Sequence, residues 1–330
     1  IKSHGYAVFG QVSWKPVEPL ELTGGLRYSW EKSTSDYNIH YGVPNLFGPG
    51  KDFELTDRSH RNVSFGNVSP TASIRYAVTS GLSVYARYAK GFKAGGFGPA
   101  PGDDASNLPY KAETSENYEA GIKGDLFGRT LSFDIAGFYI DLSDQQLQTV
   151  VRSSSGVPLA AVANAGKSRS KGFEASLTVR PVDGLSLSGN VGHTDAYYIQ
   201  YLDTEGKNRS GESFPFVPKW SASADAEYAW NISDEWSATV GASYSYVGKM
   251  LSGTGVDVAL QFPVNGYDRL DLRAGVSYRD LTLDIYAQNI TDNYNITRIF
   301  NSFFFPDPPA RPFAVVAPPR QIGGRLTWKF

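Results

Sequence analysis

The side chains best equipped for chemistry are aromatic rings beside cationic groups, set in the stretches between regular segments. Tyr37, Tyr41 and Phe47 share one stretch with Arg58 and Arg61. Phe97 closes the glycine-rich run Lys93-Ala-Gly-Gly-Phe97. Tyr198 and Tyr201 open a third stretch, which Phe214 and Phe216 close. The last one holds Arg298, Phe303, Phe304 and Arg311. Rings stack on flat aryl groups and cations pair with anions, so this combination suits an anionic aryl chelate of iron. It equally suits a sugar, whose CH faces stack on rings. The bland alternative is that these rings pack the loops together or mark a membrane interface. Phe303-Phe304-Phe305 is the run least suited to an interface, because successive strand residues cannot all face lipid.

Catalytic groupings are lacking. The chain contains neither G-x-S-x-G nor H-E-x-x-H, and no strand-to-helix step follows the glycines near Phe97 to make a phosphate loop. With no cysteine in the chain, disulfides, thiolate metal sites and cysteine nucleophiles are excluded. The histidines, His4, His40, His60 and His193, are scattered. His40 and His60 share a stretch and could approach one another, but they read as surface residues rather than metal ligands. His193 and Asp195 lie on one strand face without a nucleophile. The chain is expected not to be an enzyme and to need no cofactor.

Thirteen alternating segments must position these groups, starting near Tyr6, Leu20, Asn62, Leu82, Glu113, Thr130, Ala165, Leu185, Lys219, Glu235, Gly266, Leu281 and Arg320. In one of them Trp236, Ala238, Val240, Ala242, Tyr244 and Tyr246 oppose Ser237, Thr239, Gly241, Ser243 and Ser245. That period of two gives each strand one apolar and one polar face. Short connections, such as Lys15–Pro19 and Arg279–Asp280, alternate with long ones. The long ones are Ser33–Arg61, Lys93–Ala112, Arg152–Asn164, Gln200–Val217, Met250–Asn265 and Thr291–Pro319. No amphipathic helix interrupts this meander, and no apolar run reaches the ~18 residues of a membrane helix. Ile1 begins within a strand pattern, so no leader peptide is expected in this chain.

Three features favour a barrel in lipid over a soluble sandwich. Aromatics such as Trp14, Tyr28, Trp220, Trp236 and Trp328 cluster at the ends of apolar faces, as interfacial girdles do. The polar faces carry opposed charges at mid-strand, including Asp225, Glu227, Asp271 and Arg273. The apolar faces are rich in small residues, unlike a dry core. The 31 basic and 33 acidic side chains nearly balance, so no nucleic-acid partner is expected. The fold expected is all-β: a transmembrane, antiparallel, up-and-down β-barrel. A single-chain bacterial barrel has an even strand count, so thirteen strands are expected to be the later part of a larger barrel.

Four blocks carry a family resemblance. Leu82-Ser-Val-Tyr-Ala-Arg-Tyr-Ala-Lys-Gly-Phe-Lys-Ala-Gly-Gly-Phe97 resembles a barrel strand running into GFKxGGF. Tyr110-Lys-Ala-Glu-Thr-Ser-Glu-Asn-Tyr-Glu-Ala-Gly-Ile-Lys123 resembles YxPExxxxYExGxK, with Lys111-Ala112 where a proline is frequent. Asp284-Ile-Tyr-Ala-Gln-Asn-Ile-Thr-Asp-Asn-Tyr294 resembles the NLTDxxY signature. Gly323-Gly-Arg-Leu-Thr-Trp-Lys-Phe330 resembles a final strand whose terminal aromatic, Phe330, is an assembly signal. In this order the blocks are similar to the C-terminal part of TonB-dependent outer-membrane receptors, over residues 1–330.

The resemblance implies a barrel of about 22 strands around an N-terminal plug. By that resemblance the plug, the TonB box and about nine strands are expected to lie outside this chain. It implies a bacterial outer-membrane location and active import into the periplasm, most often of a ferric siderophore, as in the pesticin/yersiniabactin-type subgroup. The alternatives are uptake of a carbohydrate or another small organic nutrient, a passive porin-like channel, or a surface role without transport. The implied partners are an iron-chelate ligand, TonB–ExbB–ExbD through the absent N-terminal region, the lipid bilayer, lipopolysaccharide and the outer-membrane assembly machinery.

Overall fold

Segments that alternate along their whole length can satisfy their backbone groups only by laddering with neighbours, and they do. The computed structural model describes residues 1–43, 49, 53–98, 109–152, 158–203, 206–253, 261–301 and 312–330. Among these, every regular element is a strand. Ten come first: β1 (Lys2–Val17), β2 (Leu20–Val43), β3 (Phe53–Thr79), β4 (Leu82–Lys93), β5 (Glu113–Leu126), β6 (Leu131–Arg152), β7 (Pro158–Val179), β8 (Leu185–Gln200), β9 (Trp220–Asn231) and β10 (Trp236–Val247). Then follow β11 (Met250–Gly253), β12 (Gln261–Val264), β13 (Tyr267–Tyr278), β14 (Leu281–Gln288), β15 (Ile296–Asn301), β16 (Pro312–Val316) and β17 (Gln321–Trp328).

One antiparallel sheet of 13 strands runs β1 to β10, then β13, β14 and β17. These are the thirteen segments expected, in chain order. The sheet is open, with β1 and β17 at its two edges. The remaining four strands form two separate hairpins, β11–β12 and β15–β16, within connections that sequence reading leaves as plain loops.

Two long connections are also more regular than expected. The β2–β3 ladder continues unbroken out to Val43 opposite Phe53, through most of the Ser33–Arg61 stretch. The β6–β7 ladder reaches Arg152 opposite Pro158. A period of two continues in outer β2, where Tyr37, Ile39, Tyr41 and Val43 alternate with Asp36, Asn38, His40 and Gly42, so the pairing there extends the same rule past the expected strand ends.

At the opposite end the turns are tight. Phe127, Gly128 and Arg129 all take positive φ, at 54°, 64° and 71°. Gly184 has φ 79°, and a Cβ there would fall 1.9 Å from the Ala229 carbonyl oxygen. Only glycine suits that corner.

Register sorts the side chains as the alternation demands. Val240 stands opposite Tyr228 and Ala274, while Gly241 stands opposite Glu227 and Arg273. The apolar face is bare: Val12, Ile285 and Leu326 are 72%, 54% and 67% exposed. No second layer of sheet covers it among the described residues. An uncovered apolar surface of this extent requires a non-aqueous neighbour.

The polar face is knitted by ions. Arg273 donates to Asp225 (3.0 Å), to Glu227 (2.9 Å) and to the Ser243 hydroxyl (2.9 Å). Arg269 Nε donates to Asp271 at 2.7 Å, and Lys123 meets Asp134 at 2.7 Å. Charges that satisfy one another across strands suit an enclosed wet or protein-filled interior.

Candidate functional site

The long connections all lie at one end, and there the loops are folded against one another. After β8 the chain turns back on itself: Tyr198 N donates to Glu212 O (3.0 Å), Gly211 N to Tyr198 O (2.7 Å) and Arg209 N to Tyr201 O (2.8 Å). Tyr198 packs 5.0 Å from Tyr201 and 4.8 Å from Phe214, ring to ring. Ala165 and Leu147, from the β6–β7 hairpin, complete this small core. Arg209 and Asp203, both buried, pair at 2.8 Å beside it. Burial pushes the Tyr198 hydroxyl pKa above its ordinary value, helped by Tyr201 and the Glu212 charge, so it stays neutral.

Two further loops join this one. The Phe216 amide donates to Leu251 O at 2.7 Å, tying the β8–β9 connection to β11. The Ser252 hydroxyl, fully buried, donates to Ile299 O (2.8 Å) and accepts from Ile299 N (2.9 Å), tying β11 to β15. Arg298 on β15 then stands 5.4 Å over the Phe216 ring. A cation and a ring far apart in sequence are thus held face to face, with Phe216 itself exposed.

The β4–β5 connection is anchored in a different way. Gln146 Nε2 donates to Ala94 O (2.8 Å) and Lys111 O (3.1 Å). Asn164 accepts from Lys111 N (2.8 Å) and donates to Asp144 O (2.7 Å). Gly95 lies so close that an added Cβ would fall 2.2 Å from Tyr110 O and 2.4 Å from the Phe65 ring. That contact accounts for a glycine in the GFKxGGF block. Burial, with the Glu31 charge, raises the Tyr110 pKa as well.

The residues singled out in the sequence therefore divide. Tyr198, Tyr201 and Phe214 come together as a packed core, with both tyrosines 2% exposed, and Phe97 is buried too. In this conformation those two tyrosines and Phe97 offer a ligand almost no surface. Arg298 is exposed and faces Phe216. Tyr37 and Tyr41 lie on β2 opposite Ser59 and Leu55, and Arg58 lies on β3 opposite Asn38. The side chains of these three, and Phe47, Phe303, Phe304 and Arg311 entirely, lie outside the described residues. Phe330 is fully exposed, its ring 6.4 Å from Trp328.

The histidines do not converge. His60 meets Asp36 across β2–β3, while His40 is opposite Thr56, four rungs further out. His193 stands 4.6 Å from the Trp220 ring on the apolar face, and Asp195 pairs instead with Lys219 at 3.5 Å. No cluster of three or more metal-binding side chains occurs among the described residues. Sequence reading missed Ser252 and the Arg209–Asp203 pair. A lone serine or ion pair carries no signal until its partners are known.

The NLTDxxY-like block also has a physical account. Asn289, buried and at φ 48°, donates to Asn293 O and Pro318 O (both 3.1 Å) and accepts from Asn293 N (3.1 Å). Its own amide donates to Asp271 at 2.8 Å, and Asp292 accepts from Arg320 N at 2.9 Å. One asparagine thereby clamps β13, β14 and the approach to β17.

Comparison with known proteins agrees with this geometry. The chain is 28% identical over 218 residues to the pesticin receptor of Yersinia pestis, covering 66% of this chain and 29% of that receptor. It is 27% identical over 236 residues to the metal-pseudopaline receptor CntO of Pseudomonas aeruginosa, covering 71% and 31%. The chain thus spans about a third of the length of these relatives. The crystal structure of the ferric yersiniabactin uptake receptor FyuA from Yersinia pestis superposes with a TM-score of 0.79 at 22% identity, covering 99% of this chain and 46% of that one. The family model described as TonB dependent receptor-like, beta-barrel matches residues 1–290. These relatives are receptors, not enzymes, and the chain belongs to the TonB-dependent receptor β-barrel family of the outer membrane.

Proposed function

We propose that this chain forms the later part of the barrel wall, and much of the loop surface, of a receptor that captures a ferric siderophore outside the cell and imports it. Import would draw energy from TonB–ExbB–ExbD through a part of the receptor that this chain does not contain. The observation that carries the reading is the Arg298–Phe216 pair, held between three interlocked loops. A guanidinium over an exposed ring offers stacking and charge to an anionic aryl chelate. Similarity to a receptor named for metal–pseudopaline supports a metal-chelate ligand. The ion-paired polar face suits contact with a plug inside the completed barrel.

The test is uptake of radiolabelled iron by starved cells carrying the full-length receptor, supplied with purified ferric siderophores of phenolate, catecholate and carboxylate type. Saturable uptake of one of them, abolished without TonB, is expected. Iron uptake unchanged by deletion of the receptor, with loss of growth on a limiting sugar instead, would move the reading to carbohydrate import. Large steady conductance of the purified receptor in planar bilayers would move it to a passive channel.

A further inference from the structure

The ring and the cation at the loop end both stand on irregular backbone. Phe216 holds φ at 62°, in the left-handed region that a bulky side chain rarely enters. Thr297 interrupts the β15–β16 register, since Ile296 lies opposite Val316 and Arg298 opposite Val315. A bulge of this kind re-aims the side chain beside it, here Arg298. The Thr297 hydroxyl donates to Val315 O at 3.1 Å and steadies the bulge. Neither conformation is the resting preference of its own segment, so each must be held by its surroundings.

Both are held from β11. The Phe216 amide donates to Leu251 O (2.7 Å), and the next residue, Ser252, grips Ile299 by its carbonyl (2.8 Å) and its amide (2.9 Å). The two attachment points are consecutive residues of one strand. A single peptide unit therefore sets the spacing of ring and guanidinium, 5.4 Å from Cζ to the ring centroid. β11 is itself fixed to the wall, because Gly248 N donates to Trp220 O at the start of β9 (2.8 Å). The Ser252 hydroxyl is fully buried, and it uses its donor and one acceptor position on Ile299. It can touch no ligand; what it controls is where the adjoining Arg298 stands. Arg298 is exposed, its rung partner is Val315, and it has no carboxylate partner among the described residues. Its charge is uncommitted.

We propose that Ser252 is a positioning residue for ligand recognition: it fixes Arg298 over Phe216, so that an anionic aryl chelate meets a ring and a cation already set for stacking and charge pairing. This role rests on the siderophore reading given above. Its benefit is pre-organisation, since a long, rotamer-rich arginine is ordered before the ligand arrives rather than by it.

The test uses the full-length receptor in detergent and measures equilibrium binding of ferric chelates of phenolate, catecholate and citrate type by quenching of intrinsic fluorescence. Wild type is expected to bind one of the two aryl chelates more tightly than ferric citrate. Ser252→Ala should weaken that binding about threefold to tenfold, the scale of one side chain that must be ordered on binding. With Arg298→Ala already present, the same change should alter affinity by less than about twofold, because a residue that acts through Arg298 then has nothing left to position. An equal loss in both backgrounds makes Ser252 a structural residue only and overturns the proposal, as does unchanged affinity in Ser252→Ala. Should Ser252→Ala fail to fold, Thr297→Val carries the same comparison in both backgrounds, since it keeps the side-chain size and removes the bond to Val315 O. Preference of the wild type for ferric citrate, or binding of none of the three chelates, defeats instead the ligand reading beneath the proposal, and the proposal with it.

Discussion

An arginine at position 240 and one at position 239 are neighbours in sequence but should meet opposite worlds. Along β10, Trp236 and Tyr244 are eight residues apart on the apolar face, with Val240 midway. At ~3.3 Å per residue and a tilt near ~40°, the two rings lie ~20 Å apart in depth. Val240 is then ~10 Å from either band, near the middle of the hydrocarbon and too deep for a guanidinium to snorkel out easily. Its cross-strand neighbours Tyr228 and Ala274 offer no counter-charge. Val240→Arg should therefore cost about 2–4 kcal/mol. Thr239 points to the other face, opposite Gly275 and Ala229. Gly275 leaves room there, and Asp284 Oδ1 lies 2.6 Å from where a Cβ at 275 would stand. A guanidinium at position 239 thus finds space and a carboxylate, and Thr239→Arg should cost under about 1 kcal/mol. The assay is the urea midpoint for loss of the folded, heat-modifiable form of the full-length receptor in bilayers. Equal costs, or a larger cost for Thr239→Arg, would refute the assignment of faces and every outward-facing claim built on it.

Other outcomes follow from single contacts. Asn289→Ala removes the side-chain bonds to the Asn293 and Pro318 backbones that tie β13, β14 and the approach to β17, and should cost about 1–3 kcal/mol in the same assay. Ser252→Ala removes both bonds to Ile299. It should speed amide exchange in β11 and β15 while leaving the main sheet unchanged, and no change in exchange would mean the hairpins dock by other contacts. Asp203→Ala strips one of two carboxylate partners from buried Arg209, the other being Glu212 at 3.6 Å, and should cost about 1–3 kcal/mol. Its signature should be proteolysis between residues 201 and 213 with the barrel intact. Phe216→Ala together with Arg298→Ala should weaken siderophore binding at least about tenfold, the scale of a desolvated cation–ring contact. Unchanged affinity would retire this pair as a contact.

Much of the wall was legible from pattern alone, because one local rule governs it. Successive strand side chains face opposite ways, so Trp236 to Tyr246 declares a lipid face and an inner face without reference to any other segment. All thirteen strands of the sheet could be found in this way, and the short turns between them. The blocks ending in Phe97, Tyr294 and Phe330 added the family. The rule discriminates less beyond the lipid zone, where no bilayer fixes which face must be apolar. The outer reaches of β2, β3, β6 and β7 read as loops, and so did the two added hairpins. It also cannot tell a ring that packs from a ring that binds. Tyr198 and Tyr201 looked as available as Phe216, yet the first two are buried against Phe214 and Ala165 while Phe216 is exposed under Arg298. Only contacts between residues distant in the chain decide this, through Ser252 on Ile299 and Phe216 on Leu251. Strand periodicity is a property of neighbours along the chain, whereas a site is a property of neighbours in space.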